Sequence, residues 1–162
     1  WPHCIRRREL TRVYRILRRP YAKKPLDGEG AYRFGGRWSS PGARLAYTAE
    51  HLSLAMIEYF VHIDPDDAPK DLVLATAQIP DSVSRISISP RRLPATWRDI
   101  PAPPELALIG DAFAQDRRAA ILIVPSALAP AESNWLINPR HPDFARIRLH
   151  PPERFRYDAR FF

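Results

Sequence analysis

The sequence predicts one domain of mixed helix and strand, and three observations carry that prediction. Short runs rich in β-branched and aromatic residues recur along the chain, two segments have helical spacing, and eighteen prolines against six glycines imply stiff connectors between them. The 162 residues suffice to bury a core. An apolar share of 45% excludes a disordered chain. The formal charge of +7 implies a surface that attracts nucleic acid, phosphates or an acidic protein. A lone cysteine, Cys4, provides neither a disulfide framework nor a metal cluster and fits a reducing cytosol, so a cytoplasmic protein is expected. No apolar run reaches the ~18 residues of a membrane span, and no charged-then-apolar leader is visible.

Taken in order, residues 1–11 read as a basic extension (Arg6, Arg7, Arg8) of a single domain over 1–162. Val13-Tyr14-Arg15-Ile16-Leu17 reads as a strand, with Val13, Arg15 and Leu17 on one face. Arg15 is then either core-facing at a cleft lip or a surface arginine on an edge strand. Residues 20–44 read as a long loop punctuated by proline and glycine, and its rings Tyr32, Phe34 and Trp38 imply that it packs. Leu45–Thr48 reads as a strand and residues 50–62 as a helix capped by Thr48, so apolar that burial on most sides is expected. Further strands are expected at 71–80, 85–89, 119–124, 145–149 and 154–157. A helix over 105–115 carries the stripe Leu106, Ile109 and Phe113. Residues 130–139 read as a compact loop.

Chemistry concentrates in residues 31–59. A Gly35-Gly36 turn delivers Arg37 and Trp38, a strand carries Tyr47, and Glu58 interrupts an apolar helix. A guanidinium, rings and a carboxylate suit a phosphorylated, ring-bearing substrate on which positive charge develops. Glu58 is either a buried, paired carboxylate or points out along the one wet strip. Ser126 follows the strand at 119–124, a common place for site residues. No G-x-G-x-x-G, no Gly-Lys-Ser/Thr, no metal-ligand spacing among the five histidines and no Ser-His-Asp arrangement is present.

Together these stretches resemble the RES-domain family, toxins of RES–Xre type II toxin–antitoxin modules. The matching residues are Val13-Tyr14-Arg15-Ile16, Gly30-Ala31, Gly35-Gly36-Arg37-Trp38, Tyr47-Thr48, Leu54-Ala55 with Glu58, Val124-Pro125-Ser126 and Glu132-Ser133-Asn134-Trp135-Leu136-Ile137-Asn138-Pro139. The resemblance implies an ADP-ribosyltransferase-like α+β fold, with two short, mostly antiparallel sheets around an NAD⁺ cleft and flanking helices. It implies NAD⁺ as co-substrate and no metal. It also implies an Xre-family helix-turn-helix antitoxin that occludes the site, with nucleic acid reached only through that antitoxin. Glu58, Arg37 and Tyr47 would then be catalytic, with Glu58 stabilising an oxocarbenium-like ribose. Arg15, Arg37, Tyr32, Tyr47, Ser126 and Asn138 would hold NAD⁺: the arginines on pyrophosphate, the tyrosines on ring or ribose, and Ser126 on ribose or on Glu58 itself.

Two outcomes for the ADP-ribose remain open at this level. Transfer to a protein acceptor is the reading the fold analogy favours; hydrolysis or phosphorolysis of NAD⁺ is the alternative. A reading of another class is a non-enzymatic nucleic-acid-binding module, supported by twelve Lys/Arg in residues 1–44 against Glu9, Asp27 and Glu29.

Overall fold

The run from Val13 to Leu17 forms the middle of β1 (Leu10–Arg18) in a computed structural model that describes residues 10–162. The basic run Arg6–Arg8 lies outside the described residues, and residues 10 and 11 of the expected extension open β1. Along its whole length β1 pairs antiparallel with β3 (Leu72–Pro80), from Leu10↔Pro80 to Arg18↔Leu72. On its other side it meets β2 (Ala46–Ala49) at Tyr14↔Ala49 alone. From β2 the pairing runs on through β6 (Ser133–Ile137) and β5 (Ile121–Pro125) to β4 (Arg85–Ser87), the last step being parallel. Two short strands, β7 (Arg148–Leu149) and β8 (Glu153–Arg154), cover the outer edge of β3. The α+β class is the one expected. Among the described residues the two short sheets are two ladders of one eight-stranded sheet, joined only at Tyr14–Ala49.

One face of the sheet closes over Val13, Ala46, Ala77, Ile79, Ile121, Trp135 and Ile137. The other carries the helices. Helix α3 (Pro104–Asp116) starts with a proline whose missing N–H would have had no helical partner in any case. It lays Leu106 and Phe113 against Trp38, Leu45, Leu122 and Leu136. Burying each such leucine contributes roughly 1.5–3 kcal/mol. Helix α2 (Leu52–Phe60) packs Leu54 and Ala55 on Ala49, Tyr14 and Ala129.

Six expectations are corrected. β1 lies between β2 and β3, so Arg15 is not on an edge strand. The loop over 20–44 contains a short helix, α1 (Glu29–Phe34). The supposed loop at 130–139 contains β6, buried from Trp135 to Ile137 because β2 and β5 flank it on both sides. Thr48 does not cap α2: it sits in β2 opposite Trp135, and its hydroxyl is used across the ladder, donating to the Trp135 carbonyl at 2.7 Å. His51 takes the cap position without a side-chain bond. The strands expected at 145–149 and 154–157 shrink to two residues each, the first preceded by a 3-10 turn over Pro142–Arg146. Helix α2 buries only Leu54 and Ala55, whereas Leu52, Ile57 and the following Val61 are exposed.

Candidate active site

Glu58 lies four residues after Leu54 and three after Ala55, the two buried positions of α2, so it shares their face and points at the sheet. Of the two readings of Glu58, the paired one holds: the carboxylate faces in with Leu54 and Ala55, while Leu52 and Ile57 face out. Glu58 Oε1 accepts two hydrogen bonds, from Ser126 Oγ at 2.7 Å and from Asn134 Nδ2 at 2.8 Å. Oε2 has no hydrogen-bond partner among the described residues. Both donors are fixed by their strands. Ser126 is fully buried just past the end of β5; its N–H donates to the Glu132 carbonyl, and its Oγ accepts the N–H groups of Leu128 and Ala129, each at 3.1 Å. Asn134 stands in β6 directly opposite Ala49 on one side and Val124 on the other.

Tyr47 lies on the same face as Asn134, one diagonal away across the β2–β6 ladder. Diagonal neighbours have Cα atoms about 7–8 Å apart, within reach of a long side chain. Its hydroxyl pairs with Ser39 Oγ at 2.7 Å and accepts the Trp38 N–H at 3.2 Å. Burial raises the Tyr47 phenol above its ordinary range, and the bonds from Ser39 and Trp38 offset part of that. Gly36 makes this fit possible, since a Cβ there would stand 2.7 Å from the Tyr47 hydroxyl oxygen. Tyr47 thus fastens the Gly-Gly turn that carries Arg37. The Arg37 Nη1 group in turn donates to the Trp97 carbonyl at 2.9 Å and the Asp99 carbonyl at 3.0 Å, tying that turn to the proline-rich connector.

Arg15 leaves β1 on the face of Val13, opposite to Tyr14, and its guanidinium donates from Nη1 to the Tyr47 carbonyl at 3.0 Å. This contact crosses the place where β1 and β2 share a single residue pair. Its Nε is buried without a partner. Burial lowers the pKa of Arg15, with Asp27 and Tyr47 acting the other way. Arg15, Tyr47 and Arg37 therefore form one chain of contacts through the 36–39 turn, beside the Glu58–Ser126–Asn134 group but not bonded to it.

Two candidates stand apart. Tyr32, on α1, has its ring covered by the Arg44 guanidinium, 4.2 Å from the ring centroid, and Arg44 is held by Glu29 at 2.5 Å. Asn138 is buried at the opposite end of β6 from Asn134. Its Nδ2 donates to the Ala114 carbonyl at the end of α3, and its Oδ1 accepts the Arg140 N–H. It lines a surface cavity of about 260 Å³ with Arg44, Asp111, Arg117 and Arg140, away from Glu58. Asn134 has no expected site role in the sequence. Read as a strand, the run Ser133–Ile137 puts Asn134 on the face of Leu136, and a polar residue at an inward position was the available signal. Among the described residues, no three His, Cys, Asp or Glu side chains gather as metal ligands, and no helix is long and apolar enough to cross a membrane.

The RES domain family profile matches residues 12–158, and the chain belongs to that family. Among its relatives is a protein of Sphingobium sp. named "Prs ADP-ribosylating toxin". It is 37% identical over 144 residues, covering 88% of this chain and 89% of that one. A "Toxin Res" of Pseudomonas putida is 39% identical over 150 residues, covering 91% and 99%. The fold is shared with a chain of the M. tuberculosis MbcT–MbcA toxin–antitoxin complex, at a TM-score of 0.73 and 18% identity, over 91% of this chain and 85% of that one.

Proposed function

We propose that this protein is an NAD⁺-using bacterial toxin that breaks the nicotinamide–ribose bond and transfers the ADP-ribose to a cellular protein. The observation that carries the reading is the double anchoring of Glu58 through Oε1, which leaves Oε2 for substrate. As the C–N bond breaks, its electron pair leaves with neutral nicotinamide, and positive charge develops on the ribose ring. A carboxylate held in advance by two donors stabilises that charge without reorganising. Arg37, with Nε and Nη2 not used by the Trp97 and Asp99 carbonyls, and the buried Arg15 are the groups for the pyrophosphate. Tyr47, whose carbonyl accepts from Arg15 and which lies diagonal to Asn134 on the ladder, is the ring we assign to the nicotinamide or ribose. Ser126 acts through Glu58 rather than on the ribose. The relative named for ADP-ribosylation supports transfer over hydrolysis or phosphorolysis.

The partner we propose is an Xre-family antitoxin that covers the Glu58 cleft in the cytosol. Exposed Leu52 and Ile57 on α2, Val61 just after it and Leu128 on the turn after Ser126 supply apolar surface for it. The test is NAD⁺ consumption by the folded, partner-free chain beside Glu58→Gln, which keeps shape and removes charge. Wild type is expected to release nicotinamide. The variant is expected to lose at least about a hundredfold in kcat with KM unchanged. Label from [adenylate-³²P]NAD⁺ found on lysate protein supports transfer; free ADP-ribose or its 1-phosphate replaces that reading with hydrolysis or phosphorolysis. A wild type that neither consumes NAD⁺ nor labels protein refutes the enzyme altogether.

A further inference from the structure

The C-terminal segment grips the helix that bears Glu58 from behind. After β8 pairs with β3, the Phe155 N–H donates to the Leu72 carbonyl at 3.0 Å, fixing the segment to the sheet. Two residues on, the Tyr157 hydroxyl donates to the Met56 carbonyl of α2 at 2.6 Å. Phe60, the last residue of α2, meets the rings of Tyr157, Phe161 and Phe162 at centroid distances of 5.7, 5.2 and 5.7 Å. Met56 and Phe60 are one helical turn apart and share a face, while Glu58, two residues from each, lies about 200° round the helix on the opposite face. The segment therefore holds α2 at its back, at the level where the carboxylate reaches Ser126 and Asn134 at its front. Burial pushes the Tyr157 phenol up to about 12, so the hydroxyl stays a donor through the neutral range.

We propose that Tyr157 is a positioning residue for Glu58: its bond to the Met56 carbonyl sets the rotation and axial position of α2 that bring the carboxylate onto its two donors. The proposal rests on the NAD⁺-cleaving reading of Glu58. Tyr157 touches neither substrate nor the carboxylate; it acts through the helix.

The test is Tyr157→Phe, which keeps the ring cluster and removes one oxygen, assayed for nicotinamide release beside wild type, Asn134→Ala and the double variant. Phe161→Leu serves as a control that trims the ring cluster while keeping the Met56 bond. The expected result is a fall in kcat of about three- to tenfold for Tyr157→Phe with KM within about twofold. Phe161→Leu should retain wild-type kcat. In the Asn134→Ala background the Tyr157→Phe effect should shrink to less than about half its size on a logarithmic scale, because both act on the setting of one carboxylate. Amide exchange over residues 56–60 should quicken in Tyr157→Phe while β3 stays protected. Equal kcat in Tyr157→Phe and wild type, an equal loss in Phe161→Leu, or full additivity in the double variant overturns the inference and leaves the NAD⁺ reading standing. A wild type with no NAD⁺ turnover overturns both.

Discussion

Replacing Asn134 by alanine isolates one of the two bonds on Glu58. Asn134 Nδ2 lies 2.8 Å from Oε1, and in the substituted protein Ser126 Oγ still donates to the same oxygen at 2.7 Å. A hydrogen bond to a charged group is worth about 1.5–3 kcal/mol. Lost wholly from the transition state, that is about ten- to 150-fold in rate. Because Ser126 keeps the carboxylate tethered, the expected loss is at the lower end, about tenfold in kcat. KM for NAD⁺ should be unchanged, since the arginines proposed for the pyrophosphate lie elsewhere. The fold should lose no more than about 1–2 kcal/mol, because no other buried group is orphaned. Ser126→Ala provides the contrast. It removes a donor from Glu58 and also strands the N–H groups of Leu128 and Ala129, at about 1–3 kcal/mol for each one left unsatisfied, so activity and melting temperature should fall together. Steady-state nicotinamide release and thermal unfolding measure both quantities. A kcat for Asn134→Ala within twofold of wild type, or a loss carried wholly by KM, would refute the argument that the amide sets the carboxylate for catalysis.

Two further outcomes concern the scaffold. Gly110 lets α3 approach the chain at Trp38: a Cβ there would stand 1.6 Å from the Trp38 carbonyl oxygen. Gly110→Ala should therefore cost about 3 kcal/mol or more, read as a shifted urea midpoint or insoluble protein, and a midpoint at the wild-type value would show that α3 can move away freely. Asp143 is held well below the usual carboxylate range by the Ser84 N–H and hydroxyl and by Arg146. A carboxylate lowered on folding stabilises fully above its unfolded value, about 4, and that contribution is lost as pH falls through the folded value. Asp143→Asn should be less stable than wild type at pH 7 and approach it in strong acid; a gap of constant size across that range would sink the linkage.

Much of this fold was legible because period and burial agree. The alternation at Val13–Leu17, the apolar run at 121–124 and the Leu106/Phe113 stripe all sit on faces that meet the core. Where tertiary context decided, local pattern failed. β6 is bracketed by Pro130 and Pro139 and begins with Ser-Asn, so nothing in its own residues announces a strand with neighbours on both sides. Thr48 looked like a cap because caps are read from the residues that follow, whereas its hydroxyl is used by a strand far along the chain. The apolar circumference of α2 suggested full burial. Instead Leu52 and Ile57 of the helix, and Val61 just after it, are exposed. Within the site, Glu58 and Ser126 were found as residue types at strand and helix positions, and the resemblance joined them. Asn134 went unassigned with the strand that carries it, and Asn138 was placed in the site although its amide is committed to the end of α3.

The position of α2 explains why the sheet tolerates so weak a seam at its centre. The ladders β4-β5-β6-β2 and β1-β3-β7 meet at Tyr14–Ala49 alone, yet several side chains cross that seam. Arg15 spans it by donating to the Tyr47 carbonyl. Helix α2 spans it by packing on both Tyr14 and Ala49. The same helix is bound at its front to Ser126 and Asn134 of the first ladder and at its back, through Tyr157, to the segment anchored on β3 of the second. A rigid central ladder would fix the two halves through backbone bonds and leave no gap for a buried guanidinium. Here the joint is made instead by α2 and by the Arg15 side chain, which reaches the Tyr47 main-chain carbonyl, and two of the groups proposed to meet NAD⁺, Arg15 and Glu58, belong to it. Ligand that engages Arg15 and Glu58 together would touch both ladders at once, so binding should stiffen the seam. On that argument, NAD⁺ should slow amide exchange at Tyr14 and Ala49 more than at Ile121–Pro125, the strand at the far side of the first ladder. Equal protection at both places would show that the seam is already as firm as the rest of the sheet.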